Sequence, residues 1–110
     1  QLDKKYQSVS INALNQSLLL HFDEQVLQLF VEAGRKAKRY MQVGLTLEHV
    51  ALQQTDNNMK YEYLNMARQA FEPDAIDLNC LINLALVCIK LKKLREASEH
   101  LMAVIPRCPS

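Results

Sequence analysis

The side chains of this chain best suited to hold a metal or act as a nucleophile are His21, His49 and His100 with Cys80, Cys88 and Cys108. A structural zinc site draws its ligands from closely spaced Cys or His pairs. None of these six residues forms such a pair. The three histidines fall on different expected helices, and Glu48-His49 lacks the second histidine of a zinc-binding helix. Nothing in the sequence designates a Cys–His nucleophile and base. A phosphate-cradling loop needs several glycines in close spacing, and the chain has only Gly34 and Gly44. No catalytic, metal or cofactor site is expected, and the chain is not read as an enzyme.

Two other groupings suit binding rather than catalysis. The first is a pair of basic clusters: Arg35, Lys36, Lys38 and Arg39, then Lys90, Lys92, Lys93 and Arg95. Clustered cations can neutralise phosphates, so a nucleic-acid-associated helical module using Arg35–Arg39 and Lys90–Arg95 is the alternative functional reading. Against it, 13 basic residues face 12 acidic ones, and the net charge is +1. Tyr40, Tyr61 and Tyr63 do not interleave with the clusters as stacking platforms would. Because acidic residues match the basic ones in number, a solvated helix end and a charged turn account for the clusters better, so nucleic acid is not the expected partner.

The second grouping is a pair of mixed stripes. Leu45, His49, Leu52 and Asp56 lie at helical spacing, as do Asn79, Asn83, Leu86 and Lys90. An Asn pair at i, i+4 can hydrogen-bond an extended peptide through both amide functions. The same leucines could instead pack beneath another segment of a larger protein.

The elements that must carry these residues are helices. Hydrophobic residues make up 49% of the chain, enough for one core, while two glycines and three prolines are too few turn residues for an all-β fold. Six helices are expected. The first runs from about Leu2 to Leu20. Asp23 caps the second, which continues to about Tyr40 with the apolar stripe Val26, Leu27, Leu29, Phe30 and Ala33. Gly44 is the candidate breaker before the third helix, unless the second and third run on as one. The third ends near Gln54, before the turn Thr55-Asp56-Asn57-Asn58. The fourth covers about Met59 to Phe71 and stops ahead of Pro73. Asp74 caps the fifth, with Asp77 in its first turn, and that helix carries Ile76 and reaches Leu91. After Lys92-Lys93, the sixth spans Leu94 to Ile105 and is stopped by Pro106.

Part of this pattern repeats. Leu47 and Leu81, Val50 and Leu84, Ala51 and Ala85, and Leu52 and Leu86 are each 34 residues apart. A match at that period is what stacked helical hairpins leave in a sequence. Leu81, Leu84, Ala85 and Cys88 share one face of the fifth helix, and Ala97, Leu101 and Val104 share one face of the sixth. Ala51, Ala67, Ala85 and Ala97 are small residues mid-helix, where helices need to approach closely.

The stretch from Leu78 to Pro109 resembles a tetratricopeptide repeat. Leu81 stands at the large position of helix A and Leu84-Ala85 at its Leu–small pair. Ala97, Leu101 and Val104 stand on helix B, and Pro109 closes the unit. It departs from the family in Cys88 for an aromatic and Val104 for a small residue. Gly44–Asp77 resembles the repeat in part through Leu47, Val50, Ala51, Ala67 and Ala70, with Tyr63 at a small position and Pro73 about two residues early. Over the first forty residues only Ser17 and Ala33 fit as small contacts.

The resemblance implies one all-α domain over residues 1–110: a right-handed stack of three antiparallel helical hairpins, a TPR-like α-solenoid. It also implies a protein–protein interaction scaffold or adaptor binding a partner peptide or helix on the concave face lined by the first helix of each hairpin. There the expected contact residues are Leu45, His49, Leu52, Asn79, Asn83, Leu86 and Lys90. Some members of the family clamp a partner's terminal carboxylate with paired cations, but Lys90 is the only cation on these stripes and Glu48 borders them.

The start lacks an initiator Met and a signal-type apolar region, and Pro106–Ser110 falls where a further repeat would begin. The chain is therefore read as a piece of a longer solenoid whose remainder packs on one or both ends. No apolar run is long enough for a membrane span. An odd number of cysteines in apolar surroundings suggests a reducing intracellular setting, cytoplasmic or nuclear.

Overall fold

A computed structural model describes residues 4–107, with side chains from residue 11 onward. Leu2, Cys108 and Pro109, which figure in the sequence expectations, lie outside the described residues. The chain forms α1 (Lys4–Leu20), α2 (Glu24–Lys36), α3 (Tyr40–Leu52), α4 (Asn57–Phe71), α5 (Leu78–Lys90) and α6 (Leu94–Val104). Tight 3-10 turns follow α4 at Glu72–Asp74 and α6 at Ile105–Arg107. The fold is all-helical, with no strand among the described residues.

Aspartates start three of the helices. Asp23 accepts the N–H groups of Gln25 and Val26 at 2.9 and 3.1 Å, and Asp56 accepts that of Asn58 at 3.3 Å. Each satisfies a backbone donor that the first helical turn leaves unpaired. The fifth helix departs from expectation: its cap is Asp77, which accepts the Cys80 N–H at 3.1 Å, rather than Asp74. Pro73 sits in the opening turn of the 3-10 segment and holds Asp74 inside it. The chain becomes extended only at Asp77 (φ −70°, ψ 129°), so Ile76 falls outside the helix and is exposed.

The second and third helices are separate, and Gly44 does not divide them. α2 stops at Lys36, short of Tyr40, and the chain turns at Ala37–Arg39 with Lys38 in the left-handed region at φ 59°. The Lys38 N–H donates to the Arg35 carbonyl at 3.1 Å and the Arg39 N–H to that of Gly34 at 2.9 Å. The same closure recurs between α5 and α6. There Lys92 has φ 62°, and Lys92 and Lys93 donate to Ile89 and Cys88 at 2.9 and 2.8 Å. Glycine usually fills that left-handed position, and here lysine takes it twice. Gly44 lies buried within α3, where a Cβ would strike the Phe71 ring. Its role is to let α4 come close.

The helices pack as sequence neighbours. α1 lies on α2, α3 on α4 and α5 on α6, while α2–α3, α4–α5 and α1–α3 contacts join the pairs. The connections are short enough to bring each helix back along its predecessor. The core includes Ile11, Leu18, Phe30, Val43, Leu47, Val50, Leu64, Phe71, Leu84 and Val87. Ala51, Ala67, Ala85 and Ala97 are all buried, as are Leu81, Cys88 and Val104. Leu101 differs: expected on the inner face of the sixth helix, it is exposed, because only one side of α6 is covered. Among the described residues no helix is long and apolar enough to cross a membrane.

Candidate functional site

Leu45, His49 and Leu52 lie on α3 and Asn79, Asn83, Leu86 and Lys90 on α5, whereas Asp56, expected on the first stripe, falls beyond α3 and caps α4. α3 turns Val43, Leu47, Val50 and Ala51 inward, and the same helical period leaves Leu45, His49 and Leu52 facing outward. α5 buries Leu81, Leu84, Ala85 and Cys88 and leaves Asn79, Asn83, Leu86 and Lys90. Two contacts tie the α5 stripe to α3, through Glu48 and Met41 rather than through the α3 stripe itself. Lys90 Nζ pairs with Glu48 Oε2 at 2.7 Å, and Asn83 Nδ2 lies 3.6 Å from Met41 Sδ. Leu52 and Leu86, one repeat period apart, are 52% and 45% exposed, so the period carries outward positions as well as inward ones.

Part of the expected chemistry is already engaged within the fold. Asn83 Nδ2 donates to the Asn79 carbonyl at 2.8 Å, so one of the amide functions expected to hold a peptide is in use. His49 Nε2 lies 3.1 Å from Gln53 Nε2. The Lys90–Glu48 pair cancels its own charge. What remains prominent on this face is apolar.

Leu45 also belongs to a cleft that the sequence did not reveal. Asn15 and Leu19 of α1 face Tyr40, Met41, Gln42, Leu45 and Thr46 of α3 across about 540 Å³, with Lys38 and Arg39 at the preceding turn and Asp74 nearby. Polar bridges hold the two helices beside it. The buried Thr46 hydroxyl donates to Asn15 Oδ1, and Gln42 Nε2 donates to Asn12 Oδ1 at 3.4 Å. Leu19 and Leu45 remain 45% and 43% exposed. The signal available in the sequence was the Asn12–Asn15 pair, one turn apart among Ile11, Leu14 and Leu18, in a segment without repeat likeness.

No protein-family model, curated protein or solved structure matches this chain. The reading of the site therefore rests on its own chemistry. Burial pushes the Cys80 thiol up to about 11, with the Asp74 and Asp77 carboxylates adding to the effect. Burial also raises Cys88, helped by Glu96 and opposed by Arg68. Both are free thiols held protonated at neutral pH, which makes them poor nucleophiles. Among the described residues no group of three or more His, Cys, Asp or Glu side chains could hold a metal ion. The basic clusters lie at two different turns, α2–α3 and α5–α6, and Lys36 is paired with Glu32 at 3.3 Å.

Proposed function

We propose that this chain is a tetratricopeptide-like helical repeat acting as a protein-interaction scaffold or adaptor, inside the cell. A partner peptide or helix docks on the face shared by α1, α3 and α5. The observation that carries this reading is the set Leu19, Leu45, Leu52 and Leu86, four half-exposed leucines on those three helices. Scattered surface leucines need no explanation, but several on one face flanked by polar groups suit an interface. The buried, protonated thiols and the paired charges give the same surface little to catalyse with.

The test starts from peptides selected on the intact chain by display. Their affinities are then measured for the wild type and for Leu52→Ala, Leu86→Ala and Lys36→Ala. Truncating a central apolar anchor costs about 2 kcal/mol or more, roughly a 30-fold loss. The leucine variants should show that loss and Lys36→Ala should bind as the wild type. Peptides indifferent to both leucines would refute the proposal. So would duplex DNA or RNA binding that is steeply salt-dependent and lost in Lys36→Ala.

A further inference from the structure

The α1–α3 cleft has a charge pattern that names the chemistry of its occupant. From Ile11 to Leu20 and from Tyr40 to Thr46 neither wall contains an ionisable acid or base that is charged at neutral pH. The interior is thus leucine, methionine and side-chain amide: Leu19, Met41, Leu45, Asn15 and Gln42. Among the described lining residues, charge is confined to the margins. Asp74 is the acidic group, and its Oδ2 accepts the Cys80 thiol at 3.8 Å. The cations are Lys38 and Arg39, and Arg39 Nη1 donates to Gln42 Oε1 at 3.4 Å.

Lys38 stands apart from the other cations near this face. Lys90 is neutralised by Glu48, whereas Lys38 is exposed and makes no ion pair among the described residues. Its backbone is fixed by the left-handed turn and the two hydrogen bonds that close it. A non-glycine residue held there is a sparsely populated conformation. The turn fixes the Lys38 backbone at the edge of the cleft, and the flexible side chain carries its ammonium from there. An exposed cation of this kind contributes modestly and in a salt-dependent way to the choice of partner.

We propose that this cleft binds an amphipathic acidic segment of another protein. Its apolar side chains lie against Leu19, Met41 and Leu45, and a carboxylate beside them meets Lys38. The inference rests on the reading of this face as a protein-docking surface and adds to it the sign of the partner's charge.

The experiment uses two synthetic helical peptides with the same leucine spacing, one flanked by Glu and the other by Lys. Each is titrated into the full chain by fluorescence anisotropy at low and at high salt. The Glu peptide should bind about tenfold more tightly than the Lys peptide, with the gap narrowing as salt rises. Lys38→Gly suits the left-handed backbone and removes the charge, so the preference should vanish while circular dichroism stays unchanged. Leu45→Ser should weaken the Glu peptide. Equal binding of the two peptides, or preference for the Lys peptide, overturns the acidic-partner inference and leaves the docking reading standing. If neither peptide binds, the docking reading falls and the inference falls with it. A preference that survives in Lys38→Gly overturns the role given to that lysine.

Discussion

The α3–α4 and α5–α6 hairpins are spelled with the same pattern, yet they bury very different amounts of their second helix. α4 buries Tyr63, Leu64, Ala67, Ala70 and Phe71, while α6 buries Ala97 and Val104. Phe71 and Ile105 are one period apart; Phe71 is sealed against Gly44, and Ile105 is exposed. The difference comes from neighbours. α4 lies against both α3 and α5, whereas α6 packs on α5 and on its own terminal turn. A local pattern sets which side of a helix is apolar. A neighbouring helix decides whether that side becomes core.

The sharpest way to break this comparison is to truncate the period mates. Phe71→Ala should cost about 3–5 kcal/mol and reduce or abolish cooperative melting, while Ile105→Ala should stay within about 0.5 kcal/mol. Similar losses at both positions in thermal denaturation would mean that α6 is covered as α4 is. Next in size is overpacking at the shared small position. Ala85 is fully buried, so Ala85→Leu should cost roughly 1–3 kcal/mol and lower Tm by several degrees. An unchanged melting curve would contradict the register of α5 against its neighbours.

The smaller effects probe how the second of these hairpins begins and turns. Asp77→Ala should cost about 1 kcal/mol in denaturant unfolding, with Asp74→Ala costing less, because only Asp77 caps α5. The reverse order would restore Asp74 as the cap. Lys92→Gly should stabilise slightly, by under about 1 kcal/mol, since glycine relieves the left-handed backbone at φ 62°. A destabilisation there would mean that the lysine side chain contributes something the turn needs.

Much of the fold was legible because helix period and small residues are local facts. Leu47, Val50 and Ala51, then Leu81, Leu84, Ala85 and Cys88, were read as inward-facing and are buried. Three features escaped. The α2–α3 joint carries Lys38 where glycine usually signals a turn, so nothing marked it. Gly44 reads the same in a sequence whether it breaks a helix or admits an aromatic ring from a residue far along the chain. Leu101 has the spacing of a core residue, and its exposure depends on whether a further element covers α6.

The site divided in a similar way. The outward positions of Leu45, Leu52 and Leu86 followed from helical spacing within a repeat. Asn15, Leu19 and Met41 did not, because α1 has no repeat likeness to align it and the cleft exists only once α1 and α3 are side by side. The Asn83 donor was assigned to a partner, but a side chain of that length reaches its own helix's Asn79 carbonyl first.

On the proposed function, the outward leucines contribute to binding and not to the core. Leu52→Ser and Leu86→Ser should be measured side by side for Tm and for affinity toward a display-selected peptide. The expected result is a Tm within a few degrees of the wild type and an affinity loss of roughly 30-fold. A large fall in Tm, as for a core leucine costing about 2–5 kcal/mol, with affinity intact in the folded fraction, would contradict it.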